Sequence, residues 1–222
     1  FDGPGGPLPE QPRQEAADRN ACRLWRGAGP LSGTPADLYL KKRGLTQCSS
    51  DLRFHPRTPL GPRGAVRFLP AMLAAVRTDL GVIAVHRTFL DNRTARLASF
   101  DRPKRALGSM QNGAVRLAGP QAGRLGLAEG IETALSAMQL FGVPCWATLG
   151  NERFGLVTIP QSVCELHLFV DNDAGGDLAE ERANEAYACD GRRIVARRPA
   201  NLDEGWNDVL MRGALGGTWP RR

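Results

Sequence analysis

The apolar positions of the chain change their period partway along. From Glu15 to Gly27, Ala17, Ala21, Leu24 and Trp25 recur at helical spacing and stop at a Gly-Ala-Gly-Pro break. Thr34-Pro-Ala-Asp37 has the form of a helix start, with a capping hydroxyl and a proline at the first helical position. The short helix it opens ends at Lys41-Lys42-Arg43-Gly44. Two runs of small and branched apolar residues, 71–77 and 82–90, flank a Thr-Asp-Leu-Gly turn and predict an antiparallel hairpin. From Arg124 onward strand and helix alternate: strands at 125–128, 144–149, 163–170 and 193–196, helices at 130–140 and 177–188, and a last short helix at 206–211. That alternation predicts a parallel sheet covered by helices. The expected fold is α/β, an α+β first lobe followed by a Rossmann-like parallel sheet.

Residues 1–12 are rich in Gly and Pro without periodicity, and a Gly-rich segment at 118–123 separates the two patterns. The expected organisation is a flexible tail over 1–13, a basic lobe over 14–120, an α/β domain over 121–212 and a tail over 213–222. No apolar run approaches the ~18 residues of a membrane span, and no leader pattern is present. The expected compartment is the cytoplasm, without a membrane partner.

Charge sharpens the division. The 222 residues carry a net +6, but residues 1–120 hold 19 basic and 9 acidic side chains, whereas residues 121–222 hold 10 and 14. A basic half joined to an acidic half suggests a grip for a polyanion beside a site that needs carboxylates. Arginine makes up 26 of the 29 basic residues, so coding bias accounts for the same excess. The five cysteines are scattered, with no CxxC pair, and the three histidines stand far from any cysteine pair; no zinc site is expected in this chain.

The acids fall where open parallel sheets do their chemistry, beyond the carboxyl ends of strands. Glu129-Gly130 follows the strand at 125–128, and Asp171-Asn172-Asp173 follows the strand at 163–170. Carboxylates gathered at one edge raise one another's pKa, and a hard divalent cation such as Mg²⁺ or Mn²⁺ relieves the repulsion. Asp171 and Asp173 also suit the bland roles of helix cap and turn residue.

The segments LAEGIETAL (127–135), LFVDNDAGG (168–176) and WNDVL (206–210), in that order, resemble the TOPRIM domain of plasmid- and phage-type primases. YLKKRGL (39–45), RFH (53–55), HRT (86–88) and PKR (103–105) resemble segments of bacterial DnaG-type primase catalytic cores. The resemblance spans roughly 20–212. It implies a nucleotidyltransferase that makes short RNA primers on single-stranded DNA from nucleoside triphosphates, with Mg²⁺ or Mn²⁺. Glu129 would be the general acid/base or help to hold metal, and Asp171 and Asp173 the metal ligands, with Asp208 a weaker candidate for the same role. Lys41, Lys42, Arg43, Arg87, Lys104 and Arg105 would hold template or nucleotide phosphates. A replicative helicase and a separate zinc-binding module would be further partners, in a bacterial, plasmid or phage setting. Two departures stand out: Gly205 occupies a position where the family commonly has Asp, and Thr133 stands four after Glu129 where cellular primases tend to carry Asp. A TOPRIM nuclease would use the same acids to cut, and a non-catalytic DNA-binding module would keep only the fold. A topoisomerase is excluded, since Tyr39 and Tyr187 both fall on predicted helices and the chain is short. Glu132 is expected to do no more than favour the start of its helix, His86 to pack in a strand, and Trp25, Trp146, Trp206 and Trp219 to serve as core or lid.

Overall fold

The computed structural model describes residues 10–216, apart from 63 and 190. In chain order the elements are α1 (Glu10–Arg26), α2 (Pro35–Lys41), β1 (Leu52–Leu60), β2 (Arg67–Thr78), β3 (Gly81–Phe89), β4 (Lys104–Leu107), β5 (Ala114–Arg116), β6 (Arg124–Ala128), α3 (Ile131–Phe141), β7 (Cys145–Ala147), β8 (Glu165–Phe169), α4 (Ala174–Tyr187), β9 (Arg193–Arg197) and α5 (Trp206–Gly216). Trp219 and most of the two predicted tails lie outside the described residues.

The predicted hairpin is β2–β3, antiparallel, closing at Thr78 and Gly81. The predicted parallel sheet is β7-β6-β8-β9, with every neighbouring pair parallel. The two halves join as one nine-stranded sheet, in the order β4-β3-β2-β5-β7-β6-β8-β9, with β1 also paired to β2. The join is β5, three residues that pair antiparallel with the end of β2 on one side and with β7 on the other.

Strand alternation sends side chains to two faces. One face carries a core that runs through both halves: Met72 and Val76 of β2, Val115 of β5, Ala128 of β6 and Cys145 of β7 pack against Tyr39 and Leu40 of α2, Ile131 and Leu135 of α3, and Trp206 and Val209 of α5. The other face carries two separate cores. Ala21, Leu24 and Trp25 of α1 cover Leu73, Val85 and Phe89, while Ala179, Ala183 and Tyr187 of α4 cover Leu125, Leu127 and Leu168.

Three strands escaped the sequence pattern. β1 contains Pro56 and Pro59, which read as breakers, and Pro56 sits where the pairing register slips between His55 and Thr58. β4 (Lys-Arg-Ala-Leu) and β5 are too short for any period to show. α4 begins at Ala174 rather than at the expected Asp177, because Asp173 caps it: its Oδ1 accepts from the Gly176 amide at 2.7 Å. α1 begins five residues before the periodic stretch, and α5 runs five residues beyond the expected end.

Candidate active site

β6 and β8 are neighbours in register, Ala128 opposite Phe169, so the residues that follow them emerge side by side. Glu129 leaves β6, and its carbonyl accepts from the Leu149 amide at 2.8 Å, which ties it to the turn after β7. Asp171 follows β8 by two residues. The chain then turns into α4 so tightly that a Cβ at Gly176 would collide with the Asp171 carbonyl, which accounts for glycine there. α5 brings Asp208 to the same place: a Cβ at Gly205 would lie 3.4 Å from Asp171 Oδ1 and 3.6 Å from Asp208 Oδ2.

These carboxylates repel. Burial raises the pKa of Glu129, and Asp171, Asp173 and Glu152 raise it further; only Lys104 opposes them. Burial also raises Asp171, helped by Asp173 and Asp208. Asp171 Oδ1 is buried with no hydrogen-bond partner among the described residues. A buried carboxylate oxygen left unpaired is costly, and this one lies near Gly205 beside a second carboxylate. Among the described residues no three His, Cys, Asp or Glu side chains converge on one point as a closed metal cage. Mg²⁺ does not require such a cage, since it takes one or two carboxylates and keeps its waters for phosphate. The orphaned oxygen beside a second carboxylate fits that ion.

Asp173 plays its bland role and leaves the other available. One carboxylate oxygen caps α4, and a carboxylate has a second. Asn caps helices as well as Asp does. Asp173→Asn is therefore expected to keep the melting temperature of the wild type within a degree or two, whereas Asp173→Ala loses about 1 kcal/mol, read by thermal denaturation.

A second cluster adjoins the first and was missed in the sequence. Glu132, in the first turn of α3, is only 7% exposed. Its Oε1 accepts from the Tyr39 hydroxyl at 2.5 Å and from Lys104 Nζ at 2.7 Å. These contacts outweigh its burial and hold its pKa down to about 2. Glu132 is thus a buried junction of α2, β4 and α3, not merely an acid at a helix start. His86, on the same sheet face as Lys104, has a buried Nδ1 with no partner among the described residues and is pushed down to about 4, chiefly by burial. Glu132 gave no signal of this in the sequence, where it stands at the flank of the Ile131, Leu135 and Met138 stripe.

The six basic residues are dispersed. Lys104 stands beside the acids through Glu132, with its side chain 38% exposed. Lys41 pairs with Asp37 at 2.9 Å, one helical turn back. Lys42 donates to the Thr94 carbonyl at 2.7 Å. Arg43 lies over the Tyr39 ring and donates to Asn207 Oδ1, while Asn207 Nδ2 donates back to the Arg43 carbonyl at 2.9 Å. The Asn of the WNDVL segment thereby ties α5 to the first half. Arg105 donates to the carbonyls of Asp101 and Arg102. Arg87 points to the opposite face of the sheet from Lys104 and is buried. The sheet alternation separates it from the carboxylates. Trp25, Trp146 and Trp206 are core residues; Trp206 packs edge-on against Phe141 and Phe169.

Comparison with known proteins agrees with this fold. Residues 124–214 match the Toprim domain family, and residues 15–117 match a domain of unknown function (DUF7146). No curated protein matches by sequence. Among solved structures, a DNA primase domain from Pseudomonas aeruginosa superposes with a TM-score of 0.57 at 15% identity, covering 88% of this chain and 74% of that one. The zinc-binding and RNA polymerase domains of the Aquifex aeolicus primase give 0.60 at 14%, covering 92% and 59%. The RNA polymerase domain of Mycobacterium tuberculosis primase DnaG gives 0.54 at 12%, covering 91% and 80%. At these identities the likeness is one of fold.

Proposed function

From the premise that this chain carries a TOPRIM domain and folds as primase cores do, we propose that it is a primase catalytic core, joining ribonucleotides into short primers on a single-stranded DNA template. The observation that carries the reading is the buried, unpartnered Asp171 carboxylate oxygen beside Asp208, at the sheet edge where Glu129 also emerges. Asp171 and Asp208 would hold Mg²⁺ or Mn²⁺, with Asp173 adding negative charge nearby. Such an ion, when bound, neutralises charge on triphosphate oxygens.

The remaining roles belong to the chain itself. Glu129, its pKa raised by burial and by neighbouring carboxylates, is suited to take a proton from an attacking 3′-hydroxyl. Lys104, fixed by Glu132 yet partly exposed, places an ammonium beside Glu129 where a phosphate can reach it. Exposed Lys41 and the rim residues Lys42 and Arg43 lie near the first-half cleft over Tyr39, a position suited to a template strand, with affinity that falls as salt rises. A helicase and a zinc-binding module, supplied by other proteins or chain segments, would complete the activity.

The test is incorporation of labelled nucleotides on circular single-stranded DNA with Mg²⁺ or Mn²⁺, for wild type, Glu129→Gln and Asp171→Asn. Short labelled products that both substitutions reduce about a hundredfold or more are expected, a loss typical of removing a catalytic acid or base. Nicked template without products would replace the proposal with a nuclease. No product and no nick, with a zinc-binding module and helicase added, would leave only a DNA-binding module.

A further inference from the structure

Arg87, which the carboxylate site does not use, belongs to a second cavity on the far face of the sheet. Strand pairing places Arg87 of β3 directly opposite Arg105 of β4, on the side covered by α1. Like charges facing each other across an antiparallel pair repel. Arg87 is 9% exposed, and its Nη1 and Nη2 donate to the carbonyls of Pro59 and Ala106 at 2.9 and 3.0 Å. Among the described residues its buried Nε has no acceptor and no carboxylate pairs with it. Burial and the Arg105 charge together weaken its hold on its proton, bringing the guanidinium down to about 10.

The guanidinium lines a cavity of about 560 Å³. Arg23 and Asn20 from α1 and His55 from β1 face it, Leu24 and Leu107 supply apolar wall, and no acid is among its lining residues. A buried cation facing a like charge, with no counter-charge, is stabilised by any anion that enters. Arginine in particular presents a fork that matches phosphate oxygens. The volume falls within the range of small-molecule sites, and the apolar wall can cover the uncharged part of a ligand.

We propose that this cavity binds a small phosphorylated anion of about nucleotide size, through Arg87 and Arg23, independently of the carboxylate site on the other face. The phosphate would sit against Arg87, with Arg23 closing from the exposed surface of α1. Inorganic phosphate and a nucleotide share this chemistry, and affinity separates them.

The experiment is isothermal titration of the full chain with inorganic phosphate, AMP and ATP, in buffer containing EDTA so that the carboxylates hold no metal. Saturable binding of at least one probe is expected, weakened about tenfold or more by Arg23→Ala and by Arg87→Lys, as befits loss of a charge-assisted contact. Asp171→Asn is expected to leave it unchanged. ATP binding more tightly than phosphate would assign the site to nucleotides; equal affinity would assign it to the bare anion. Arg23 is exposed on α1, so its substitution keeps the test open even where a buried Arg87 variant does not fold. Absence of binding by all three probes at millimolar concentration would overturn the proposal. So would binding that survives Arg23→Ala, or that disappears in Asp171→Asn. Neither result bears on primer synthesis, which the incorporation assay reads separately.

Discussion

Asp171→Asn is expected to raise the melting temperature of the metal-free protein while abolishing its response to Mg²⁺. Asp171 and Glu129 both have pKa values raised by burial and by neighbouring carboxylates. Between the ordinary and the raised value the folded state binds more protons than the unfolded chain, so stability is present at low pH and is lost as pH rises through the raised value. Above the raised values the ionised pair therefore destabilises the metal-free fold, and a neutral amide of the same shape removes part of that penalty. The gain should shrink as pH is lowered toward the ordinary carboxylate range. Wild type should be stabilised by Mg²⁺ instead: a hundredfold excess over Kd contributes about 2.7 kcal/mol, or roughly 5–10 °C in a chain of this size. Scanning calorimetry with EDTA and with Mg²⁺ checks both halves. A wild type indifferent to Mg²⁺ and to Mn²⁺ would remove the metal from the proposed function.

Glu132→Ala is expected to be the most destabilising substitution near the site. It strands the Tyr39 hydroxyl, which is buried at 3% exposure, and leaves a cavity among α2, β4 and α3. Lys104 is partly exposed and can turn to water. Leaving a buried hydroxyl unsatisfied costs about 1–3 kcal/mol, to which the cavity adds, on the order of 5–10 °C in all. Glu132→Gln keeps an acceptor for Tyr39 and should cost less. Tyr39→Phe leaves the Lys104 ion pair and should cost about 1.5–3 kcal/mol, the range for a hydrogen bond to a charged group. Because Tyr39 and Lys104 share one oxygen, the double substitution should cost less than the sum. The wild-type contribution also has a pH signature of opposite sign to that of Asp171. Glu132 is held at about 2 against an ordinary 4.5, so its stabilisation is present above 4.5 and fades as pH falls toward 2. Urea melts at several pH values would check this; a Glu132→Ala variant as stable as wild type would mean that the junction holds nothing.

Much of this was legible in the order of residues. The alternation from Arg124 onward determined a parallel sheet with covering helices, because a helix is the usual way for the chain to return between parallel strands. The Glu-Gly and Asp-Asn-Asp segments were placed at strand ends by counting alone, and the resemblance to TOPRIM primase segments rested on motifs quoted intact. The hairpin at 71–90 was equally clear. All these are local patterns, and their periods survive in the linear chain.

What the tertiary structure decided has no local period. The union of both halves through the three residues of β5 depends on partners roughly forty positions upstream and thirty downstream. Glu132 and Tyr39 lie 93 positions apart, and only the packing of α2 against α3 makes one the other's partner. Arg87 and Lys104 had the same standing in the sequence, but pleating sends them to opposite faces of the sheet, one beside the carboxylates and one beneath α1. The sequence by itself therefore determined the α/β order and the acids at the strand ends. Which charges meet was decided only by folding, because charge pairing depends on distance in space and a residue's place along the chain does not set that distance.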